Sequence, residues 1–215
     1  MAEMFALRAL GALLSYPGAE LRAALPEIAA ALAQAPWLPA AHRLRLEALL
    51  EDLGGRDPYE VEARYVELFD RGRATSLHLF EHLYGDSRER GPAMVALKAL
   101  YARAGLRLNG NELPDYLPVL LEYLSCQTRA EARAMLGDCA AVLRAIGRAL
   151  KRRGSAYAAV LEALLAVAGV EGLGASPEDG EAEVPDLDRD WAEPPAFDGS
   201  PAARAGRARG RQPPT

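Results

Sequence analysis

The 215-residue chain has a net charge of −5, with 50% hydrophobic and 7% aromatic residues, which is typical of a globular, Ala- and Leu-rich helical protein. No apolar run reaches the roughly 18 residues that a membrane-spanning helix requires. Residues 1–170 carry 20 acidic and 20 basic side chains, and most of the negative charge falls between residues 171 and 198, so we expect no nucleic-acid partner and no stable membrane association.

The first third of the chain reads as three helices. Apolar residues at helical spacing predict a first helix that ends at Tyr16-Pro17-Gly18. A second helix is predicted over about residues 19–34, with Pro26 restarting or kinking it, and a third over about residues 40–53. The start of a fourth helix is signalled by an Asp, a Pro and a Glu in capping positions within D-P-Y-E, residues 57–60.

The middle of the chain contains shorter elements. After a polar break at residues 70–75, Ser76 is predicted to cap a short helix through Leu83. A longer helix should run to about Ala104, followed by Gly105 as its C-terminal glycine. The apolar stretch P-D-Y-L-P-V-L-L-E-Y-L-S-C, which begins at Pro114, predicts a helix with more than one buried face.

The last predicted helices precede a change in composition. Thr128 and Glu131 form a capping-box pattern before one helix to Gly154, and a final helix should end near Gly169. Residues 171–215 hold too few large apolar residues to offset their chain entropy. We therefore predict an all-α, single-domain helical bundle over residues 1–170 and a flexible tail over residues 171–215.

The stretch H-L-F-E-H, residues 78–82, resembles the inverted form of a zinc-hydrolase motif. On a helix, His78 and His82 would share a face, with Glu81 beside them as a general base. A catalytic zinc also needs a third protein ligand, and no residue of the sequence is selected for that role. The alternative is an ordinary helix whose histidines lie at the edge of a groove or on the surface.

Two cysteines and a group of arginines are the remaining candidates for chemistry. Cys126 and Cys139 form no metal-binding or disulfide pattern, which suits a reducing cytoplasm, and we predict no cofactor. Four arginines flank the histidine-bearing segment on both sides, where they either bind a partner or form a solvated loop face balanced by neighbouring acids. These arginines are Arg71, Arg73, Arg88 and Arg90, and the acids are Asp70, Asp86 and Glu89.

Two long blocks of sequence resemble a known family. The first is Y-V-E-L-F-D-R-G-R-A-T-S-L-H-L-F-E-H-L-Y-G-D-S-R-E-R-G-P-A-M-V-A-L, residues 65–97, and the second is L-R-L-N-G-N-E-L-P-D-Y-L-P-V-L-L-E-Y-L, residues 106–124. Both are similar to the NarJ family of assembly chaperones for the molybdenum cofactor of respiratory nitrate reductase. The acidic-aromatic stretch L-D-R-D-W-A-E-P-P-A-F, residues 187–197, resembles a segment near the end of those proteins.

The resemblance implies an all-helical fold of the wider TorD-like chaperone class and no enzymatic activity. It implies a cytoplasmic protein that binds the N-terminal segment of the apo catalytic (alpha) subunit. In this family such binding prevents early membrane docking while the molybdenum cofactor and iron–sulfur clusters are inserted. Molybdenum cofactor delivery proteins are implied as further partners, and a leader-peptide chaperone for another molybdoenzyme is the alternative.

The partner-binding residues are then predicted from the chemical type of their side chains. An amphipathic client helix needs an apolar wall, and its basic residues need carboxylates. The predicted wall contains Tyr65, Leu68, Phe69, Leu77 and Phe80, and the candidate carboxylates are Glu112, Asp115 and Glu122. His78, His82, Asp70, Arg71, Arg73 and Arg88 complete the predicted set. Family members often carry His where this chain has Tyr84 and Tyr116.

Overall fold

The computed structural model describes residues 2–108 and 112–174. These residues form α-helices joined by short turns, which confirms the predicted all-α fold. The helices are α1 (Ala2–Leu13), α2 (Ala19–Ala33), α3 (Ala40–Gly55), α4 (Pro58–Tyr65), α5 (Leu79–Tyr84), α6 (Arg90–Arg103), α7 (Leu117–Leu124), α8 (Arg129–Asp138), α9 (Ala140–Arg152) and α10 (Ala158–Ala168). Residues 175–215 of the predicted tail lie outside the described residues. None of the helices described is both long and apolar enough to cross a membrane.

Helices α10 and α7 form the centre of the core. α10 packs against α9, α8 and α3, whereas α7 packs against α1. Eight of the 11 residues of α10 and six of the eight residues of α7 are buried. Burying one large aliphatic side chain contributes roughly 1.5–3 kcal/mol, so these two helices supply much of the hydrophobic stabilisation. The prediction that the 114–126 stretch is buried on more than one face is confirmed.

The predicted capping residues form the expected hydrogen bonds. Asp57 Oδ1 accepts from the backbone N–H groups of Tyr59 at 2.9 Å and Glu60 at 3.4 Å. Thr128 Oγ1 accepts from Glu131 N at 3.3 Å, and Glu131 Oε2 accepts from Thr128 N at 2.9 Å. These four bonds supply partners for N–H groups that have none within the helix. These helix starts could be predicted because a few adjacent residues determine them.

One predicted helix is divided in two. α8 ends at Asp138 and α9 begins at Ala140, so the helix predicted from Thr128 to Gly154 is interrupted at Cys139. Gly137 and Asp138 have low helix propensity and lie at the interruption. The apolar pattern continues across it, because both short helices face the same core. A hydrophobic stripe therefore predicted the buried face but not the break.

α4 continues into a π-helical turn, Val66–Asp70. In this turn the backbone N–H of Arg71 donates to the carbonyl of Val66 at 3.2 Å. The rings of Tyr65 and Phe69 lie 4.8 Å apart and both contact Tyr157. Wide turns of this kind often occur at functional sites, because the extra residue changes which side chains face inward.

α1 and α7 cross closely at Gly11. A Cβ atom at this position would lie 3.1 Å from Leu121 Cβ and 3.3 Å from the Pro118 carbonyl oxygen. We expect Gly11→Ala to lower the free energy of unfolding by about 1–2 kcal/mol despite the better helix propensity of alanine, because the helices must separate. Gly137→Ala is the matched control, since nothing lies within 4 Å of its added Cβ.

Urea denaturation of both variants measures this difference. Gly137→Ala is expected to leave the free energy of unfolding unchanged or to raise it by up to about 1 kcal/mol. Equal or greater stability of Gly11→Ala would show that the contact between α1 and α7 is not tight.

Candidate functional site

The two blocks of sequence that resemble the NarJ family are joined in space. Leu117 N donates to the carbonyl of Leu77 at 2.9 Å, and Leu79 N donates to the carbonyl of Asp115 at 3.1 Å. His78 and Tyr116 thereby form an isolated antiparallel bridge. Because residues 115–117 pair with another segment, α7 starts at Leu117 rather than at the predicted Pro114.

Asp115 fixes this pairing from inside the protein. Its side chain is completely buried. Its Oδ2 accepts from Phe80 N at 3.1 Å, and its Oδ1 lies 3.4 Å from His78 Nδ1. A buried carboxylate is stable only with such partners. Asp115 lies before α7, so it does not share a helical face with the exposed Glu122, which pairs with Arg8 at 3.8 Å.

The H-L-F-E-H stretch does not place two histidines on one helical face. His78 precedes the first residue of α5 and approaches Asp115. His82 lies in α5, where its Nε2 donates to the carbonyl of Ser76 at 2.9 Å. No group of three or more His, Cys, Asp or Glu within residues 2–108 and 112–174 is arranged to hold a metal. The zinc interpretation therefore has no geometric support in this part of the chain.

Ser76 connects the turn before α5 to the helix. Its Oγ donates to Glu81 Oε2 at 2.6 Å and accepts from His78 N at 3.3 Å. It does not cap the N-terminus of α5 as predicted, because α5 begins three residues later at Leu79. Arg90 Nη2 lies 3.5 Å from Glu81 Oε1, so one chain of contacts ties α6 to this turn.

Two tyrosine hydroxyls hold the site against the end of α1. Tyr65 Oη donates to the carbonyl of Leu14 at 2.8 Å and lies 3.0 Å from Tyr116 Oη. Burial raises the pKa of both phenols, so both stay protonated at neutral pH. The ring of Tyr116 also packs against His78, with 5.2 Å between ring centroids. Tyr116 thus has a packing role in the bridge.

The predicted partner-binding residues differ in burial. Tyr65, Phe69, Leu77 and Asp115 are buried; Leu68, His78, Phe80 and His82 are half-buried; and Asp70, Arg71, Arg73, Arg88, Glu112 and Glu122 are exposed. The buried residues hold the site together, and only the half-buried and exposed residues are accessible to a partner. Arg73 lies 3.8 Å from Asp86, as the balanced-loop alternative predicts. For all of the predicted partner-binding residues, contact with a partner stays a prediction.

Several accessible residues were not among the partner-binding residues predicted from the sequence. Tyr16 is half-exposed and donates from its Oη to Glu62 Oε2 at 3.0 Å. Leu83 is 52% exposed at the end of α5, and Tyr84 packs edge-on against Phe80 with 5.2 Å between centroids. In the sequence, the only feature that could have indicated Leu83 and Tyr84 was a leucine followed by a tyrosine in a six-residue helix. We call the partly exposed residues Tyr16, His78, Phe80, Leu83, Tyr84 and Tyr116 the aromatic surface.

The contact between His78 and Asp115 makes stability depend on pH. The hydrogen bond to Asp115 raises the pKa of His78, with further attraction to Asp115 and Glu81, against partial burial and the charge of Arg90. Because its pKa is higher in the folded than in the unfolded chain, His78 stabilises the fold fully below about pH 6.5. That contribution is lost as pH rises through the raised pKa.

We therefore expect the free energy of unfolding of the unmodified protein to fall from pH 6 upward more steeply than that of His78→Gln. Urea denaturation at several pH values measures both slopes. Equal slopes would show that His78 does not couple protonation to folding.

Fold and site together define an all-helical protein in which two distant blocks of sequence are joined at one bridge. The family model of the nitrate reductase delta subunit matches residues 18–163. This match covers more than half of the chain, and the chain belongs to that family. The predicted relationship to the NarJ family is thereby confirmed.

Similarity to individual proteins agrees with the family match. The chain is 47% identical over 156 residues to the nitrate reductase molybdenum cofactor assembly chaperone NarJ of Escherichia coli K12, covering 73% of this chain and 66% of that protein. It is 43% identical over 165 residues to the probable chaperone NarW of the same strain, covering 76% and 68%. The probable chaperone NarJ of Bacillus subtilis 168 is 34% identical over 161 residues, covering 74% and 85%.

Proposed function

We propose that this protein is an assembly chaperone for a respiratory nitrate reductase and has no enzymatic activity. Its relatives in E. coli and B. subtilis are named as established or probable chaperones for assembly of the nitrate reductase molybdenum cofactor. One structural observation supports a location for the binding site. The two blocks typical of the family meet at the bridge between His78 and Tyr116, where the two partly exposed rings pack against each other.

The client segment in this proposal is the N-terminal segment of the apo catalytic subunit, bound in the cytoplasm. Binding keeps the subunit from docking on its membrane partner while the molybdenum cofactor and iron–sulfur clusters are inserted. An amphipathic client helix lays its apolar side on the aromatic surface. Molybdenum cofactor delivery proteins then act on the subunit while the chaperone holds it.

The aromatic surface has the composition that this task requires. Aromatic rings supply large contact areas at low cost in side-chain entropy, and they are frequent among residues that dominate binding energy. Exposed carboxylates of Asp70 and Glu112 lie close enough to Tyr116 to influence its phenol. These acids are available to basic residues of the client, whereas the buried carboxylate of Asp115 is occupied by Phe80 and His78.

Calorimetric titration tests the proposal directly. The chelator-treated protein is titrated with a peptide from the N-terminus of a nitrate reductase catalytic subunit, and we expect saturable binding without metal. A scrambled peptide of the same composition is the control. Absence of binding to a folded protein would contradict the proposal.

A second client class is distinguished by competition. Leader peptides from other molybdoenzymes are added to the preformed complex, and we expect the nitrate reductase peptide to be displaced only at much higher competitor concentrations. Tighter binding of another leader would assign the same surface to another molybdoenzyme.

A further inference from the structure

A cleft of about 590 Å³ lies between α3, α4 and the turn that joins α9 to α10. A volume of this size is typical of sites that bind small molecules. Its apolar lining includes Leu53, Val61 and Leu68. The described residues that line it include none of the aromatic surface, so the cleft is a separate part of the molecule.

One buried hydroxyl group in the lining of the cleft has no partner. Tyr157 is only 6% exposed, and its Oη has no hydrogen-bond partner within the described residues. Burial raises the pKa of this phenol and the charge of Asp52, which also lines the cleft, raises it further, so the hydroxyl stays protonated and can donate. A buried donor without an acceptor is costly, and a ligand that supplies an acceptor removes that cost.

Positive charge predominates in the lining of the cleft. Arg56, Arg64 and Arg153 line it, against the carboxylates of Asp52 and Glu67. The Asp52 carboxylate is paired with both Arg56 and Arg64. The Arg64 side chain is 50% exposed, and its two ion-pair contacts measure 3.6 and 3.9 Å, which is longer than a hydrogen bond. Its N–H groups are therefore available to a further acceptor.

The turn at the cleft also begins a helix. Ser155, Ala156 and Tyr157 line the cleft and come directly before α10, whose first residue is Ala158. The N-terminus of an α-helix carries a partial positive charge equivalent to about half an elementary charge. It favours an anion, as do the guanidinium groups and the unpartnered phenol.

We propose that the cleft binds a small organic anion, in which a carboxylate or phosphate group is attached to an apolar body. The oxygens of the anion accept from Tyr157 Oη and from Arg64, and the apolar body packs against Leu53 and Val61. Such a ligand satisfies the buried donor and balances the excess of positive charge in the lining. The inference does not rest on client binding at the aromatic surface.

Titration with phenyl phosphate tests this inference, because the probe joins a phosphate group to an apolar ring. We expect saturable binding to the full chain, measured by ligand-observed NMR. Benzyl alcohol has a similar ring without the charge and should bind at least about tenfold more weakly, since hydrogen bonds to a charged group are the stronger ones. Absence of phenyl phosphate binding, or equally tight binding of benzyl alcohol, would overturn the proposal.

Tyr157→Phe locates the ligand, because it removes the unpartnered hydroxyl and little else. We expect it to weaken phenyl phosphate binding about tenfold, while the urea midpoint without ligand stays unchanged or rises. Tyr59→Phe is the matched control, since Tyr59 is 81% exposed and does not line the cleft. Unchanged affinity in Tyr157→Phe, or the same loss in Tyr59→Phe, would show that the anion binds elsewhere.

A second pair of variants tests the contribution of charge. Arg64→Gln should weaken phenyl phosphate binding, whereas Arg103→Gln, which changes an exposed arginine of α6, should not. Equal losses in the two variants would mean that the probe responds to net charge alone, and the assignment to the cleft would be wrong.

Discussion

Replacing Asp115 with alanine is expected to lower the free energy of unfolding by about 3 kcal/mol. The change removes a fully buried carboxylate and leaves the backbone N–H of Phe80 without its acceptor. It also removes the acid that His78 approaches. A loss of this size is a large part of the 5–15 kcal/mol that stabilises a typical domain, so the variant should show a clearly lower urea midpoint.

Two further variants separate this effect from a general loss of charge. Asp115→Asn keeps an oxygen that can accept from Phe80 N, and we expect it to lose only about half as much stability. Glu122→Ala removes an exposed acid and should change the free energy of unfolding by less than about 0.5 kcal/mol. If Asp115→Ala also stayed within that range, the buried carboxylate would not be what fixes the pairing.

Leu83→Asp is expected to weaken client-peptide binding at least about tenfold, equivalent to about 1.4 kcal/mol. Leu83 is half-exposed at the end of α5, the same helix that carries the packed rings of Phe80 and Tyr84. A client helix laid on the aromatic surface would bury this side chain, and an aspartate there would have to lose its hydration without a partner. Calorimetric titration of the folded variant measures the change.

The chain provides a matched control for this substitution. Val95 is 70% exposed on α6 and is not one of the residues of the aromatic surface. Val95→Asp introduces the same charge at a comparable position and should change peptide affinity less than about twofold. If both substitutions had the same effect, the loss would reflect net charge, and the client would bind elsewhere.

Local chemistry was sufficient to predict most helix ends. Asp57 and Thr128 cap helices with side-chain oxygens that bond within three residues, and Gly105 and Gly169 adopt positive φ angles of 78° and 69° after helices. Such signals lie within a few neighbouring residues. The capped helix starts and the C-terminal glycines could therefore be assigned without knowledge of the tertiary fold.

The site depends on contacts that no local pattern contains. Asp115 lies 37 positions from His78 in sequence, and the two are brought together only by the bridge. Before the bridge is known, Asp115 is indistinguishable from an acid in the first turn of a helix, and His78 from a residue inside α5. Family resemblance located the relevant blocks of sequence, whereas their pairing, and hence which residues are buried, required the structure.

Because of the bridge, the segment between residues 80 and 115 can change in length without disturbing the core. Hydrogen bonds at residues 77–80 and 115–117 close the base of the segment between them, and Tyr101 Oη fixes α6 to the same base through the carbonyl of Pro114 at 2.8 Å. Tyr101 is the one buried residue of α6. Residues added between α5 and α6 would change mainly the entropy of closing a loop, about 0.6 kcal/mol for each doubling of its length. The fold can therefore gain or lose residues there, and so vary the surface beside the bridge, while the core stays intact.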